Sequence, residues 1–117
     1  MRTAGVVGVW LALVAAWLGT PASGGLYDTA VLADSPVRYY RFGEAAGPTA
    51  FDASTWAMNG TYNNLAAGDF AKPGAMTSDP NKSVFLNGSN ATVTAADAAE
   101  LQIPGDIAIE FWYRKTA

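Results

Sequence analysis

The chain has 117 residues, of which 50% are hydrophobic, and its formal charge at pH 7 is -3. It contains neither cysteine nor histidine, which excludes a disulfide framework, a thiolate metal site and a Ser/His catalytic pair. The weakly acidic balance provides no basic surface for nucleic acid, so no nucleic-acid partner is expected.

The N-terminal residues have the pattern of a secretory leader. After Arg2, residues 6–18 are apolar and uncharged, and residues 19–24 are small residues around a proline. This pattern predicts a signal peptide over residues 1–23 and a mature domain over residues 24–117. A retained membrane anchor is the alternative, but an apolar run of about 13 residues is shorter than the ~20 that span a bilayer. We therefore expect a secreted protein without a stable membrane span after cleavage.

A short helix and a strand are predicted next. Residues 27–33 place apolar side chains four positions apart, and the turn residues 34–36 would end the helix there. Residues 37–42 include three aromatic residues and Val37, which favours a strand. In that strand Tyr40 and Phe42 would face the core.

The pattern of residues 83–95 predicts a hairpin. Residues 83–86 are β-prone, residues 87–90 have the composition of a tight turn, and residues 91–95 supply a second strand. Because successive strand side chains alternate between faces, one side of the hairpin should be buried. That side would consist of Val84, Leu86, Val93 and Ala95.

The last predicted elements are a single helical turn over residues 97–100 and a strand over residues 107–114. Asp97 and Glu100 have the spacing of a capping box. In the strand, apolar residues alternate with other residues, so one face is predicted to be buried. That face consists of Ile107, Ile109, Phe111 and Tyr113.

Several segments together resemble the first half of a concanavalin A-like, laminin G-like jelly-roll domain. They are VLADSPVRYYRFGE (31–44), DAS (52–54) with NGTY (59–62), VFLNGS (84–89) and IAIEFW (107–112). The resemblance implies an all-β, antiparallel jelly-roll β-sandwich that binds carbohydrate or a protein ligand at the cell surface. Family members often hold calcium at the rim of the sandwich.

The chain departs from this family pattern at its C-terminal end. Family domains have several strands after the one that resembles residues 107–112, so residues 24–117 would form only the N-terminal part of the domain. We expect an incomplete sandwich with an open sheet edge, which favours self-association. A truncated reading frame and a half-sandwich completed by another chain are the two explanations.

Asp106 and Glu110 are candidates for a pair of catalytic carboxylates, and their spacing can be compared with that of known pairs. Glucanases of a related jelly-roll fold place two carboxylates at alternate positions of one strand. Here Ala108 occupies the middle position, so the two acids would lie about 13 Å apart along a strand. Glycoside hydrolysis requires about 5 to 9.5 Å. We predict that the protein is not an enzyme, and a fragment of a glycoside hydrolase remains the alternative.

Two loop aromatics are candidate ligand-binding residues. Trp56 and Tyr62 lie within the predicted loop over residues 51–62. Aromatic rings suit the apolar face of a sugar ring. The alternative for both is a place in the core. If they bind ligand, the function is a non-catalytic extracellular binding module. If they do not, a passive structural, adhesion or virion surface domain is the alternative.

Two polar residues of the same loop are candidate calcium ligands. Asp52 and Asn59 carry the side-chain oxygens that calcium prefers, and calcium takes 6 to 8 such ligands. The alternative is turn capping, because Asp and Asn side chains bond well to the backbone of their own loops.

Overall fold

The computed structural model describes residues 25–116, which form antiparallel sheets with little helix. The predicted signal peptide lies outside the described residues. Helix α1 spans Leu26–Ala33, and the strands are β1 (Thr49–Ala50), β2 (Gly60–Asn63), β3 (Lys72–Pro73), β4 (Lys82–Ser83) and β5 (Thr92–Ala95). Two 3-10 turns span Ala67–Asp69 and Ala99–Leu101. The predicted β-rich class is confirmed.

The larger sheet has the strand order β1-β2-β5, with β2 in the centre. Tyr62 of β2 lies opposite Val93 of β5, and Gly60 lies opposite Ala95. Gly60 and Tyr62 are buried whereas Thr61 is exposed, as expected for a strand with one face against the core. This register fixes the position of Tyr62.

The smaller sheet pairs β3 with β4, and residues of the larger sheet share one core with residues next to the smaller sheet. The rings of Tyr62 in β2 and Phe70 just before β3 are 5.1 Å apart at 87°, an edge-to-face contact. Val84, which follows β4, packs against the same cluster. The core comprises Ala50, Tyr62 and Phe70, with Tyr40, Phe42, Leu65, Val84 and Val93 packed against it.

The predicted helix is confirmed, whereas the strand predicted next to it is nearly absent. Helix α1 ends at Ala33, and Ser35 adopts a left-handed φ of 52°. Residues 37–42 form only an isolated bridge, between Tyr40 and Asp52. Phe42 also has a left-handed φ, of 54°, which a β-strand does not permit.

The predicted hairpin is wrong, although its turn exists. The Oδ1 atom of Asn87 accepts hydrogen bonds from the backbone of Ser89, Asn90 and Ala91, at 3.0 to 3.1 Å. The flanking strands do not pair with each other: β4 pairs with β3, and β5 pairs with β2. Val84 and Val93 pack against the core as predicted, whereas the partner residues Leu86 and Ala95 are exposed.

The C-terminal part also differs from expectation. The helical turn begins two residues later than predicted, at Ala99, and Asp97 accepts a hydrogen bond from Gln102 instead of capping the turn. Residues 107–114 form neither helix nor strand, and the face predicted to be buried is exposed. Within residues 25–116 there is no helix with the length and apolarity needed to cross a bilayer.

Candidate functional site

The buried carboxylate of Asp52 organises the loop that carries the predicted site residues. Its Oδ1 accepts hydrogen bonds from the backbone N–H of Tyr39 and of Ser54, each at 2.9 Å. Its Oδ2 accepts from Ser54 Oγ at 2.9 Å and from the N–H of Met58 at 3.0 Å. One side chain therefore fixes three points of the backbone around the loop.

The charge of Asp52 is stabilised by these donors. Burial raises the pKa of Asp52, but the hydrogen bonds from Tyr39, Ser54 and Met58 outweigh burial and bring the pKa below its usual value. The loop is thus held by an ionised carboxylate whose hydrogen bonds are charge-assisted.

Asp52 and Asn59, the two predicted calcium ligands, are in contact through a hydrogen bond that caps the turn. Asn59 Oδ1 accepts a hydrogen bond from the N–H of Asp52 at 3.0 Å, while both oxygens of Asp52 receive donors from the protein. Among residues 25–116 there is no group of three or more acidic, His or Cys side chains that could hold a metal ion. This geometry is the turn-capping alternative of the sequence analysis.

Trp56 projects from the tip of this loop. Its N–H donates to Ser54 Oγ at 3.3 Å, and Ala57 N–H donates to Ser54 O at 3.2 Å, which closes the turn. The side chain of Trp56 is 49% exposed. That of Phe51, which precedes Asp52 in the sequence, is 59% exposed. Two aromatic residues are therefore open to solvent on a loop with a fixed backbone.

Tyr62, the second predicted ligand-binding residue, lies in the core. It is only 6% exposed, and its hydroxyl donates to Glu44 Oε2 at 2.5 Å. Burial, together with the hydrogen bond to Glu44, raises the pKa of the Tyr62 hydroxyl above its usual value. The ring is not available as an open stacking surface, which corresponds to the core alternative for this residue.

A cleft of ≈ 240 Å³ lies beside Phe51. Glu44 in its wall accepts hydrogen bonds from Phe51 N–H through Oε1, at 2.8 Å, and from the hydroxyl of Tyr62 through Oε2. Because a carboxylate has about four lone-pair sites, the two hydrogen bonds leave Glu44 with free acceptor capacity. The lining residues are Arg41, Gly43, Glu44, Phe51, Ala53 and Asn81.

Ion pairs fix Arg41, another residue that lines the cleft. The guanidinium of Arg41 lies 3.0 Å from Asp28 Oδ2 and 3.7 Å from Asp79 Oδ1. Asn81 Nδ2 donates to Arg41 O at 2.9 Å, which joins two segments that are distant in sequence. The hydroxyl of Tyr39 donates to Asp28. These contacts order the polar groups before any ligand arrives.

Sequence reasoning missed the contributions of Phe51 and Asn81 to this cleft. The signal for Phe51 was an aromatic residue immediately before a turn-forming aspartate. Asn81 carried no signal, because its contact with Arg41 depends on the tertiary fold. No protein-family model, no curated protein and no solved structure gives a significant match to this chain.

Proposed function

We propose that this chain is a non-catalytic carbohydrate-binding module of a secreted protein. The observation that carries the proposal is the pair of exposed aromatic residues, Phe51 and Trp56, on a loop whose backbone is fixed by the buried Asp52. Aromatic rings bind the C–H face of a sugar ring. A fixed loop binds more tightly than a mobile one because little conformational entropy is lost.

We propose that the cleft lined by Phe51 supplies the polar groups of the site. Glu44 is oriented by the hydrogen bonds from Phe51 and Tyr62, so its remaining lone pairs have fixed directions. Sugar hydroxyls are hydrogen-bond donors, and a carboxylate accepts hydrogen bonds from them. A few ordered polar groups beside exposed apolar surface are the usual composition of a small-ligand site.

We propose further that the two sheets belong to a concanavalin A-like sandwich, and that residues 1–23 direct the chain out of the cell. The first part is supported by the core that Tyr62 of the larger sheet shares with Phe70 and Val84, which lie next to the smaller sheet. The second part is supported by the leader pattern in the sequence.

The proposal is tested by screening the full chain on an array of neutral hexose and N-acetylhexosamine oligosaccharides. Binding to the best oligosaccharide is then measured by calorimetry. Replacement of Trp56 by Ala should weaken binding about tenfold or more, as for a central aromatic contact. The thermal stability of the Trp56→Ala variant should hardly change, because the side chain of Trp56 is half exposed.

Matched variants separate binding from folding. Thr55→Ala changes an exposed neighbour of Trp56 and should bind like the original chain, whereas Trp56→Phe should retain part of the affinity. Absence of binding to any oligosaccharide, or a Trp56→Ala variant with unchanged affinity, would overturn the proposal and favour a passive structural domain. Cleavage of the bound oligosaccharide would overturn the non-catalytic assignment.

The same titration examines calcium. It is run once with added calcium and once with a chelator present. Affinity or thermal stability that falls with the chelator would assign calcium to this loop, with Asp52 and Asn59 as its predicted ligands. Unchanged values in both conditions would leave these residues with their capping role alone.

A further inference from the structure

The C-terminal segment, residues 106–114, has an apolar face without a partner among the described residues. Its members Ile107, Ile109, Phe111 and Tyr113 are 66 to 80% exposed. No backbone hydrogen bond joins residues 106–114 to the rest of the described chain. A β-prone segment with unpaired N–H and C=O groups is a template for pairing with another strand.

The other face of this segment is attached to helix α1 by one residue. The hydroxyl of Tyr27 donates to Glu110 Oε1 at 2.5 Å and accepts from Trp112 Nε1 at 2.9 Å. The rings of Tyr27 and Trp112 meet edge to face, with centroids 6.1 Å apart. Residues 110 and 112 are thereby held, and the residues between and beside them remain open.

Two of these odd-numbered side chains lie side by side. The rings of Phe111 and Tyr113 lie 5.7 Å apart, which is the spacing of neighbours on the same face of a strand rather than on opposite faces. Contiguous exposed apolar side chains of this kind mark an interaction surface.

The charges of the segment indicate which partner it suits. An acidic residue, Asp106, stands at its beginning and a basic residue, Arg114, at its end. Both are exposed, and neither forms an ion pair within residues 25–116. Such a segment is complementary to a reversed copy of itself, because the acidic end of each strand then faces the basic end of the other.

We propose that the C-terminal segment pairs antiparallel with the same segment of a second copy of this chain. In the proposed register Asp106 lies opposite the partner's Arg114, and Ile109 lies opposite the partner's Phe111. Cross-strand apolar pairs and opposite charges both stabilise antiparallel strands. A parallel arrangement would instead place like charges together at both ends.

One feature of this register opposes association. Glu110 would lie opposite the partner's Glu110, and like charges at directly opposed positions are unfavourable. This central contact occurs once, whereas the Asp106 to Arg114 contact occurs twice by symmetry. The interface is small, so we expect a dissociation constant in the micromolar range, as for a transient dimer. The inference does not depend on carbohydrate binding.

Charge reversal tests the proposal with the full chain in sedimentation experiments. The variants Asp106→Arg and Arg114→Asp should each weaken self-association roughly tenfold, because two attractive contacts become repulsive. An equimolar mixture of the two variants should recover association, since every opposed pair in the mixed dimer again has unlike charges. Both positions are exposed, so thermal unfolding should stay unchanged.

The equimolar mixture of the two variants distinguishes the proposed antiparallel register from other modes of association. A monomeric chain at every concentration would overturn it. Single variants that associate as strongly as the original chain would also overturn it, as would a mixture that stays as weak as its components. The double variant Asp106→Arg with Arg114→Asp should associate with itself, and failure of this variant to do so while it remains folded would equally contradict the proposed register.

Discussion

Two segments with similar sequence patterns reach different environments in this chain. Residues 37–42 and residues 107–113 are both rich in aromatic residues, and each is predicted to form a strand with one buried face. In the first, Tyr40 and Phe42 pack against the core, with ring centroids 5.8 Å apart. In the second, the apolar face is open to solvent. Alternation therefore indicates which face can be buried, but not whether it is.

The two segments differ in the hydrogen bonds that hold them to the rest of the chain. The first segment is fixed by the bond from Tyr39 N–H to Asp52 Oδ1 and by the bond from Tyr40 hydroxyl to Met58 O, at 2.9 and 2.8 Å. The second has only side-chain contacts with Tyr27. A buried segment needs partners for its N–H and C=O groups, and Asp52 provides one such partner.

The largest effect should come from removing the charge of Asp52. In Asp52→Asn one carboxylate oxygen becomes an NH₂ donor that faces two donors of the loop, for example Ser54 Oγ and Met58 N–H. We expect the free energy of unfolding to fall by about 3 kcal/mol, since buried donors lose charged acceptors. Denaturant unfolding measures the change.

The matched variant in the other region is Glu110→Gln. Its new amide still offers an oxygen to the Tyr27 hydroxyl, and the site is exposed, so the change should stay within about 0.5 kcal/mol. These unfolding measurements are made at a concentration where the chain is monomeric. Equal losses for Asp52→Asn and Glu110→Gln would contradict the contrast between the two regions.

A smaller effect is expected from a pair of glycine substitutions. A Cβ on Gly60 would lie 2.9 Å from the carbonyl oxygen of Thr94 in the neighbouring strand, whereas a Cβ on Gly105 would meet no atom within 4 Å. Gly60→Ala must therefore separate β2 from β5, at a cost of about 2 kcal/mol. Gly105→Ala should change stability by less than about 0.5 kcal/mol.

Thermal unfolding of both glycine variants provides the measurement. A tolerated Gly60→Ala would mean that β2 and β5 are not packed as closely as described. A destabilising Gly105→Ala would mean that the C-terminal part has contacts beyond those within residues 25–116.

Local features of the fold could be predicted from sequence, because their partners lie close in the chain. Helix α1 and the turn around Asn87 are examples: Asn87 binds the N–H groups of the next few residues. The pairing of the strands beside that turn could not be predicted. A two-residue hairpin turn of the common type needs left-handed φ at both central positions, and within residues 87–90 only Gly88 has one.

In the candidate site, too, local contacts could be predicted from sequence and long-range contacts could not. The capping alternative for Asp52 and Asn59 followed from loop chemistry, and the contact between them lies within one loop. The cleft joins Arg41 to Asn81, and no local pattern links these two residues. Burial of Tyr62 depends on its register with Val93, which was not predictable once the hairpin had been assigned to the wrong partner.

Acid should reduce the contribution of Asp52 to the stability of the fold. The hydrogen bonds to Asp52 outweigh the opposing effect of burial and bring its pKa in the folded chain below the usual value, so the folded state binds a proton less readily than the unfolded state. Asp52 therefore contributes stability above the unfolded pKa of about 3.9, and this contribution is lost as pH falls through the folded pKa. The stability difference between the original chain and Asp52→Asn should accordingly be constant near neutral pH and shrink below about pH 4. Denaturant unfolding of both proteins across this pH range measures the difference. A gap that stays constant down to the lowest pH would show that the loop is held by its shape and not by the charge of Asp52.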